Sequence, residues 1–108
     1  MIEAPTPLTR LNRISEHFDI DLWIKRDDLV GPTLGGNKTR QLEYYFGAAL
    51  AKGADTILIT GAVQSNFVRI AAAIAAALGM DAVLQLEHRV NNFTDSYKNS
   101  GNVLLNKM

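Results

Sequence analysis

The sequence predicts an α/β fold in which helices flank a parallel β-sheet. The middle of the chain shows the pattern most clearly: a β-branched run at residues 56–60 is followed by an alanine-rich segment at 66–78 and an apolar run at 82–86. A strand, a helix and a second strand in that order predict a right-handed crossover between parallel strands. A glycine-rich loop at residues 29–37, just before another helical pattern, is typical of the same fold class.

The first half of the chain predicts alternating helical and extended elements. After an extended, proline-containing entry, apolar residues at helical spacing predict a short amphipathic helix at residues 10–18. Alternation of apolar and polar side chains then predicts a half-buried strand at residues 19–25. A longer apolar stripe predicts a helix at residues 38–52, with Asn37 as its N-terminal cap.

The end of the chain predicts less regular structure. Residues 88–100 are polar and predict a loop or an irregular helix start, and a short apolar piece follows at residues 103–105. So few strands and helices do not cover both faces of a parallel sheet, which is normally buried on both sides. We therefore expect residues 1–108 to be an incomplete portion of a larger fold.

Composition narrows the classes of function. The 108 residues have a formal net charge of zero, so no electrostatic feature favours nucleic acid or a membrane surface as partner. The longest apolar stretch is too short to span a bilayer and no signal peptide opens the chain, which predicts a cytoplasmic protein. There is no cysteine and there are only two histidines, far apart, so thiol catalysis is excluded and a metal site is not expected. A small-molecule partner remains.

Two loop-to-helix junctions are candidate ligand sites. At residues 35–40, two glycines allow close backbone approach, and the helix start that holds Lys38 offers free N–H groups and a positive dipole end. A lysine amine in that position is a candidate nucleophile. At residues 61–66, the chain leaves a predicted parallel strand at its carboxyl end, where open α/β sheets bind ligands.

Each junction also has a purely structural interpretation. A glycine before a capping asparagine is common where a helix begins, so spacing alone does not make Lys38 catalytic. Ser65 and Asn66 are equally well explained as caps of the following helix. The charged run at residues 25–28 is explained by an ion-pair cluster at a strand end.

Four motifs taken together resemble one enzyme family. They are PTPL at residues 5–8, WIKRDD at 23–28, GGNKTR at 35–40 and GAVQSN at 61–66. In this order and spacing they resemble the D-cysteine desulfhydrase and 1-aminocyclopropane-1-carboxylate deaminase family, which are fold-type II enzymes that use pyridoxal 5′-phosphate. The resemblance implies the N-terminal portion of a two-domain, tryptophan synthase beta-like architecture, with the remainder of that fold absent from residues 1–108.

The resemblance also implies roles for individual residues. Lys38 is expected to hold the cofactor covalently and to transfer protons once the substrate has displaced it. Asn66 resembles the family asparagine that binds the phenolic oxygen of the cofactor, and it also borders the substrate. Asn37 resembles a residue beside the cofactor. Ser65 and Gln64 resemble the residues that hold the substrate carboxylate, and the family serine also assists proton transfer.

The activity implied by the resemblance is that of an amino-acid lyase. The first expectation is conversion of D-cysteine to pyruvate, ammonia and sulfide. Relatives that share these motifs suggest two alternatives, ring opening of 1-aminocyclopropane-1-carboxylate and release of sulfite from cysteate. Family members commonly form homodimers. A hypothesis from a different class is a non-catalytic module that binds a phosphate ligand or completes itself by assembly with another chain.

Two departures from the family pattern and the length of the chain limit these expectations. Gln41 stands where relatives often carry a basic residue near the cofactor phosphate, which predicts weaker phosphate binding. Phe67 replaces a histidine and changes either the substrate pocket or its packing. Family enzymes are roughly three times as long, consistent with two domains, and several of their site residues lie beyond the part matched here. We therefore expect the isolated chain to have little or no lyase turnover.

Overall fold

The computed structural model describes residues 5–32, 35–91 and 94–108. Its elements, in chain order, are β1 Leu8–Arg10, α1 Asn12–Phe18, β2 Trp23–Lys25, α2 Lys38–Ala51, β3 Thr56–Ala62, α3 Asn66–Leu78, β4 Asp81–Glu87, α4 Asp95–Asn99 and α5 Asn102–Lys107. A short 3-10 turn, Asp27–Leu29, lies between β2 and α2. The mixture of strands and helices confirms the predicted α/β class.

A parallel pair of strands joined by a helix forms the centre of the structure. β3 and β4 pair in parallel from Thr56 opposite Asp81 to Ala62 opposite Glu87, and α3 connects them. The predicted strand–helix–strand unit is therefore confirmed. Both strands are longer than predicted, because the backbone ladder continues through Gly61 and Ala62 in β3 and through the terminal Asp81 and Glu87 in β4.

The bounds of α3 match the prediction because local signals define both ends. Alanine has the highest helix propensity, and it fills much of this segment. The Ser65 hydroxyl oxygen accepts a hydrogen bond from the Val68 backbone N–H at 3.3 Å, which caps the start of the helix. Gly79 ends the helix with a φ of +69°, a left-handed conformation that glycine adopts without strain.

The apolar core lies between α2 and α3. Its buried members, two from α2, four from α3 and one just before β4, are Leu42, Phe46, Ile70, Ala71, Ile74, Ala75 and Met80. Ile57 and Ile59 pack against this cluster from β3. The small alanine side chains allow close packing of the helices and the sheet, and this contact fixes the position of α2 and hence of its first residue, Lys38.

The N-terminal region differs from the prediction. The strand predicted over residues 19–25 covers only Trp23–Lys25, and its three residues are exposed rather than half-buried. It pairs antiparallel with β1 in a separate two-stranded sheet. The predicted strand begins too early in the sequence, because Asp19 has a φ of +51° and forms the C-cap of α1. Arg10 lies in β1, so α1 begins at Asn12 instead of residue 10.

The C-terminal region contains two short helices. Within the polar run at residues 88–100, α4 begins after Thr94, whose hydroxyl oxygen accepts a hydrogen bond from the Tyr97 backbone N–H at 3.2 Å. The apolar piece at residues 103–105 forms the middle of α5, where Val103 is buried. Residues 92 and 93 of the run lie outside the described part. Across the described ranges, none of the helices has both the length and the apolar character that crossing a bilayer requires.

An ion-pair cluster ties the start of α2 to the N-terminal region. Arg40 donates to the Asp27 carboxylate at 2.8 and 3.1 Å and to the Thr6 hydroxyl at 3.0 Å. Arg26 pairs with Asp28 at 2.7 Å. These contacts confirm that the charged run at residues 25–28 belongs to an ion-pair cluster, and they show that its partner in α2 is Arg40.

We expect this cluster to make stability fall in acid. The hydrogen bond from Arg40 lowers the pKa of Asp27 below its ordinary value. Because the folded-state pKa is the lower one, the contact stabilises the chain above the unfolded-state pKa, near 4, and this contribution is lost as the pH falls through the folded-state pKa. The free energy of unfolding, measured with urea from about pH 5 to about pH 2, should therefore decline.

Two variants separate the contribution of Asp27 from general acid destabilisation. Asp27→Asn should lower stability at pH 7 and flatten the decline in acid. Asp81→Asn removes an exposed carboxylate at the start of β4, away from the cluster, and should preserve the decline. An acid profile of Asp27→Asn as steep as that of the unmodified chain would show that the Arg40 contact contributes nothing.

Candidate functional site

Lys38 lies at the start of α2, shortly after a glycine pair, Gly35 and Gly36, that packs on the Asp27–Leu29 turn. The Gly36 backbone N–H donates to the Asp27 carbonyl oxygen at 2.7 Å. Gly35 has a φ of +60°, and a Cβ added there would lie 2.0 Å from the Asp28 carbonyl oxygen. Only glycine allows this approach. The loop therefore packs on the Asp27–Leu29 turn and places the exposed Lys38 side chain at the helix start.

Thr39, the residue after Lys38, anchors the first turn of α2 in the interior. Its side chain is fully buried. A Cβ added at Gly31, which has a φ of +70°, would lie 2.5 Å from the Thr39 Cγ2 atom. Since consecutive helix residues point about 100° apart, the buried Thr39 leaves its neighbour Lys38 facing outward. The amine of Lys38 is thus accessible while the backbone that carries it is held in place.

The prediction that Asn37 caps α2 with its side chain is wrong. Asn37 precedes the helix, but its backbone already has helical angles, φ −59° and ψ −20°, and its side chain forms no capping hydrogen bond. A capping side chain normally reaches back from an extended backbone, which this loop does not provide. Instead, the Thr39 N–H donates to the Gly36 carbonyl oxygen at 3.2 Å. The Asn37 side chain is exposed beside Lys38.

The second junction lies at the carboxyl end of β3. Gly61 allows the start of α3 to pack directly on the strand, since a Cβ there would lie 2.7 Å from the Val68 Cγ2 atom and 3.0 Å from the Ser65 Oγ atom. Ser65 is half-buried and caps α3, and Asn66 is the exposed first residue of the helix. The structural interpretation of Ser65 as an N-cap is confirmed. Its hydroxyl hydrogen remains available to donate to a ligand, because the cap uses the oxygen only as an acceptor.

The two junctions lie at the same end of the α2 and α3 pair. A Cβ added at Gly36 would lie 3.4 Å from the Ile70 Cδ1 atom, so the loop before Lys38 contacts the first turns of α3. Ile70 follows Asn66 by four residues, about 6 Å along a helix axis. The fold therefore presents Lys38 and the start of α3 on one side of the structure.

Gln64 contacts the C-terminal helices. Its Nε2 atom donates to the carbonyl oxygens of Tyr97 and Ser100 at 2.6 and 3.0 Å, and its Oε1 atom accepts from the Asn102 backbone N–H at 2.9 Å. Both ends of the amide are thus occupied within the chain. The sequence did not indicate this role for Gln64, nor any role for Asn102; the Ser-Gly pair at residues 100–101 was the only local sign of a turn there.

The two positions that depart from the family pattern have structural partners. The exposed Gln41 donates from its Nε2 atom to the Tyr45 hydroxyl at 2.9 Å. Phe67 packs against the core cluster. Of the two effects considered for Phe67, the structure therefore shows packing.

The donors at these junctions suit an anionic ligand that carries an aldehyde. Lys38 offers an amine that can attack a carbonyl, and two helix starts offer backbone N–H groups that suit a phosphate or a carboxylate. Ser65 and Asn66 add side-chain donors. The glycines at residues 35 and 36 provide the close backbone approach that such a ligand needs. A phosphorylated pyridoxal cofactor fits this donor set.

Comparison with known proteins agrees with this chemistry. The family described as "Pyridoxal-phosphate dependent enzyme" matches residues 1–106. The chain belongs to this family. D-cysteine desulfhydrase of Klebsiella pneumoniae subsp. pneumoniae is 47% identical over 105 residues, which cover 97% of this chain and 32% of that protein. The protein of the same name from Salmonella paratyphi B is 46% identical over the same length.

A solved structure extends the similarity to three dimensions. The crystal structure of an "ACC deaminase homologue" superposes with a TM-score of 0.85 at 43% sequence identity, covering 98% of this chain and 30% of that chain. This similarity confirms the predicted fold class. The chain thus spans about a third of the length of the relatives it matches.

Proposed function

We propose that this chain supplies the lysine-bearing part of the pyridoxal-phosphate site of an amino-acid lyase that acts on D-cysteine. The observation that carries the proposal is the exposed Lys38 at the start of α2, on a loop held by Gly35, at the same end of the structure as Ser65 and Asn66. The 47% identity to a D-cysteine desulfhydrase supports the choice of substrate.

Lys38 is proposed to act in two ways. Its amine binds the cofactor through the aldehyde carbon and, when released by the substrate amine, moves the proton at the substrate α-carbon. The bound cofactor supplies an electron sink that makes this proton acidic. Gly35 and Gly36 hold the backbone that carries the amine against the Asp27–Leu29 turn, which lowers the entropic cost of each transfer.

Ser65 and Asn66 are proposed to orient the reactants. The Ser65 oxygen already accepts from the Val68 N–H, which polarises the hydroxyl and strengthens its donation to a substrate carboxylate. Asn66 binds the phenolic oxygen of the cofactor through its side-chain amide. Asn37, exposed beside Lys38, borders the cofactor.

Gln64 is proposed to support the substrate site through its contacts with the C-terminal helices. Its amide holds α4 and the start of α5, so direct contact with a substrate carboxylate requires the loss of hydrogen bonds to Tyr97, Ser100 or Asn102. The neutral Gln41 leaves phosphate binding to backbone N–H groups, and we expect weaker cofactor affinity than a basic residue at that position would give.

The chain is proposed to act as the N-terminal part of a larger catalytic unit. The matched residues cover only 32% of the D-cysteine desulfhydrase, which supports this interpretation. A second candidate activity is opening of the 1-aminocyclopropane-1-carboxylate ring, which is favoured by the similarity to the ACC deaminase homologue at 43% identity.

A chimera tests the proposed activity directly. In the Klebsiella desulfhydrase, the 105 matching residues are replaced by those of this chain, and the purified protein is supplied with pyridoxal phosphate. D-Cysteine, L-cysteine, cysteate and 1-aminocyclopropane-1-carboxylate are then compared as substrates by their keto-acid products. We expect D-cysteine to give pyruvate and sulfide at the highest rate. We expect the isolated 108-residue chain to give little or none.

The Lys38→Ala chimera is the matched control. It keeps the same junctions and should fold but lose turnover by at least about a thousandfold, as expected for loss of a covalent catalytic group. Preference for 1-aminocyclopropane-1-carboxylate would support the second candidate. A folded chimera that binds the cofactor but eliminates none of the four substrates would contradict the proposed lyase function.

A further inference from the structure

Asn102 connects the C-terminal helices to the candidate site. It is the first residue of α5, and its Nδ2 atom donates to the Gln64 carbonyl oxygen at 2.8 Å and to the Asn66 Oδ1 atom at 2.9 Å. Its backbone N–H donates to the Gln64 Oε1 atom at 2.9 Å. One residue 36 positions from Asn66 in the chain therefore contacts both the turn that precedes α3 and the first residue of that helix.

These contacts determine which way the Asn66 amide faces. A backbone carbonyl accepts hydrogen bonds and never donates, so the Asn102 atom next to the Gln64 carbonyl oxygen must be the NH₂ group. That group has two hydrogens, and its second acceptor is the Asn66 Oδ1 atom. With its oxygen held by Asn102, Asn66 is left with its own NH₂ group as the outward-facing donor.

The local backbone holds Asn102 in place. Gly101 has a φ of +57°, and a Cβ added there would lie 2.7 Å from the Gln64 Oε1 atom. The backbone conformation favours glycine here, and a side chain at this position would displace the Gln64 amide. Val103, on the other side of Asn102, is buried. The position of the Asn102 side chain is therefore set by its neighbours as well as by its own hydrogen bonds.

We propose that Asn102 is a positioning residue that holds Asn66 as a hydrogen-bond donor toward the phenolic oxygen of the cofactor. This inference rests on the proposed function. Free rotation of the Asn66 amide would present an acceptor oxygen to an electron-rich oxygen for part of the time, which weakens binding. Holding the amide in one orientation before the cofactor arrives removes that cost.

The test compares the chain with its Asn102→Asp and Asn102→Ala variants. In Asn102→Asp the donor is replaced by a carboxylate, which attracts the Asn66 NH₂ group and turns the amide around. Asn102→Ala removes the donor without adding a charge. Asn91→Asp, at an exposed loop position, is the matched control for the added negative charge.

The first measurement needs no cofactor. In the ¹⁵N-labelled chain, the Asn66 side-chain amide resonances should shift in both Asn102 variants, most strongly in Asn102→Asp, and should stay in place in Asn91→Asp. Backbone amide spectra verify that each variant is folded. Unchanged Asn66 side-chain resonances in a folded Asn102→Asp chain would overturn the inference.

The second measurement places the same variants in the Klebsiella chimera and uses pyridoxal phosphate and the visible spectrum of its lysine linkage. A donor at the phenolic oxygen withdraws electron density from the linked nitrogen, so losing it should raise the pH midpoint of the spectral change. Loss of about one net hydrogen bond predicts about tenfold weaker cofactor affinity in Asn102→Asp. An unchanged midpoint and affinity relative to Asn91→Asp would overturn the inference. If the unmodified chimera formed no linkage, the proposed function would fail, while the amide resonances would still decide whether Asn102 orients Asn66.

Discussion

We expect replacement of Lys38 by alanine to abolish the visible absorption that develops when the chain is mixed with pyridoxal phosphate. In the proposed site, the exposed amine of Lys38 forms the covalent bond to the cofactor, and alanine has no amine. The measurement is the absorption spectrum of the purified variant titrated with the cofactor, together with far-UV circular dichroism to verify the fold. Because alanine is a strong helix former, we expect α2 to persist.

The control for this prediction is a second lysine, just beyond the other end of α2. Lys52 follows the last residue of α2 and is exposed, about 21 Å from Lys38 at 1.5 Å per helical residue. Lys52→Ala removes the same amount of positive charge and should leave the absorption unchanged. If the Lys38→Ala chain formed the linkage as readily as the Lys52→Ala chain, the proposed role of Lys38 in binding the cofactor would be contradicted.

The second large effect is expected at Gly35. Gly35→Ala places a Cβ 2.0 Å from the Asp28 carbonyl oxygen at a backbone φ of +60°. The loop has to leave the Asp27–Leu29 turn, since the clash involves backbone on both sides. We expect the free energy of unfolding to fall by about 3 kcal/mol, combining strain and steric displacement. Urea unfolding followed by circular dichroism measures the loss, and cofactor linkage should weaken with it.

Gly47 provides the matched glycine control. It lies within α2, and a Cβ added there meets nothing within 4 Å. Gly47→Ala should therefore stabilise the chain by about 0.5 to 1 kcal/mol through helix propensity. If Gly35→Ala changed stability in the same direction as Gly47→Ala, the close packing of the loop on the 3-10 turn would be contradicted.

Local signals predicted the central unit well. The alanine content, the Ser65 cap and the glycine at position 79 lie close in sequence to the helix they define, so α3 could be predicted residue by residue. The parallel pairing of β3 and β4 followed from the intervening helix. Both predictions rested on short-range patterns, which a single sequence contains in full.

Predictions that depended on distant partners were incomplete. The length of β2 is set by the three residues of β1 with which it pairs, and apolar alternation does not encode that partner. Asn37 was predicted as a cap from its residue type, yet its backbone angles depend on how the glycine loop packs on the Asp27–Leu29 turn. Residue preference alone does not determine such geometry.

In the candidate site, too, residues with local sequence signals were predicted and contacts that depend on distant partners were not. Lys38, Ser65 and Asn66 stood out because they lie at helix starts, after the glycine pair at residues 35–36 and after the turn that begins at Gly61. Gln64 and Asn102 form their network across 38 residues, and the polar run that contains the partners of Gln64 has no strong periodicity. The orientation of Asn66 is a tertiary property, because it depends on an atom that only the fold brings close.

The proposed site depends above all on Lys38 as the residue that binds the cofactor. This role is tested by borohydride reduction of the unmodified chain with stoichiometric pyridoxal phosphate, followed by peptide mass spectrometry of all five lysines. We predict a label concentrated on Lys38. A label spread evenly over Lys25, Lys38, Lys52, Lys98 and Lys107, or concentrated on one of the other four, would contradict it.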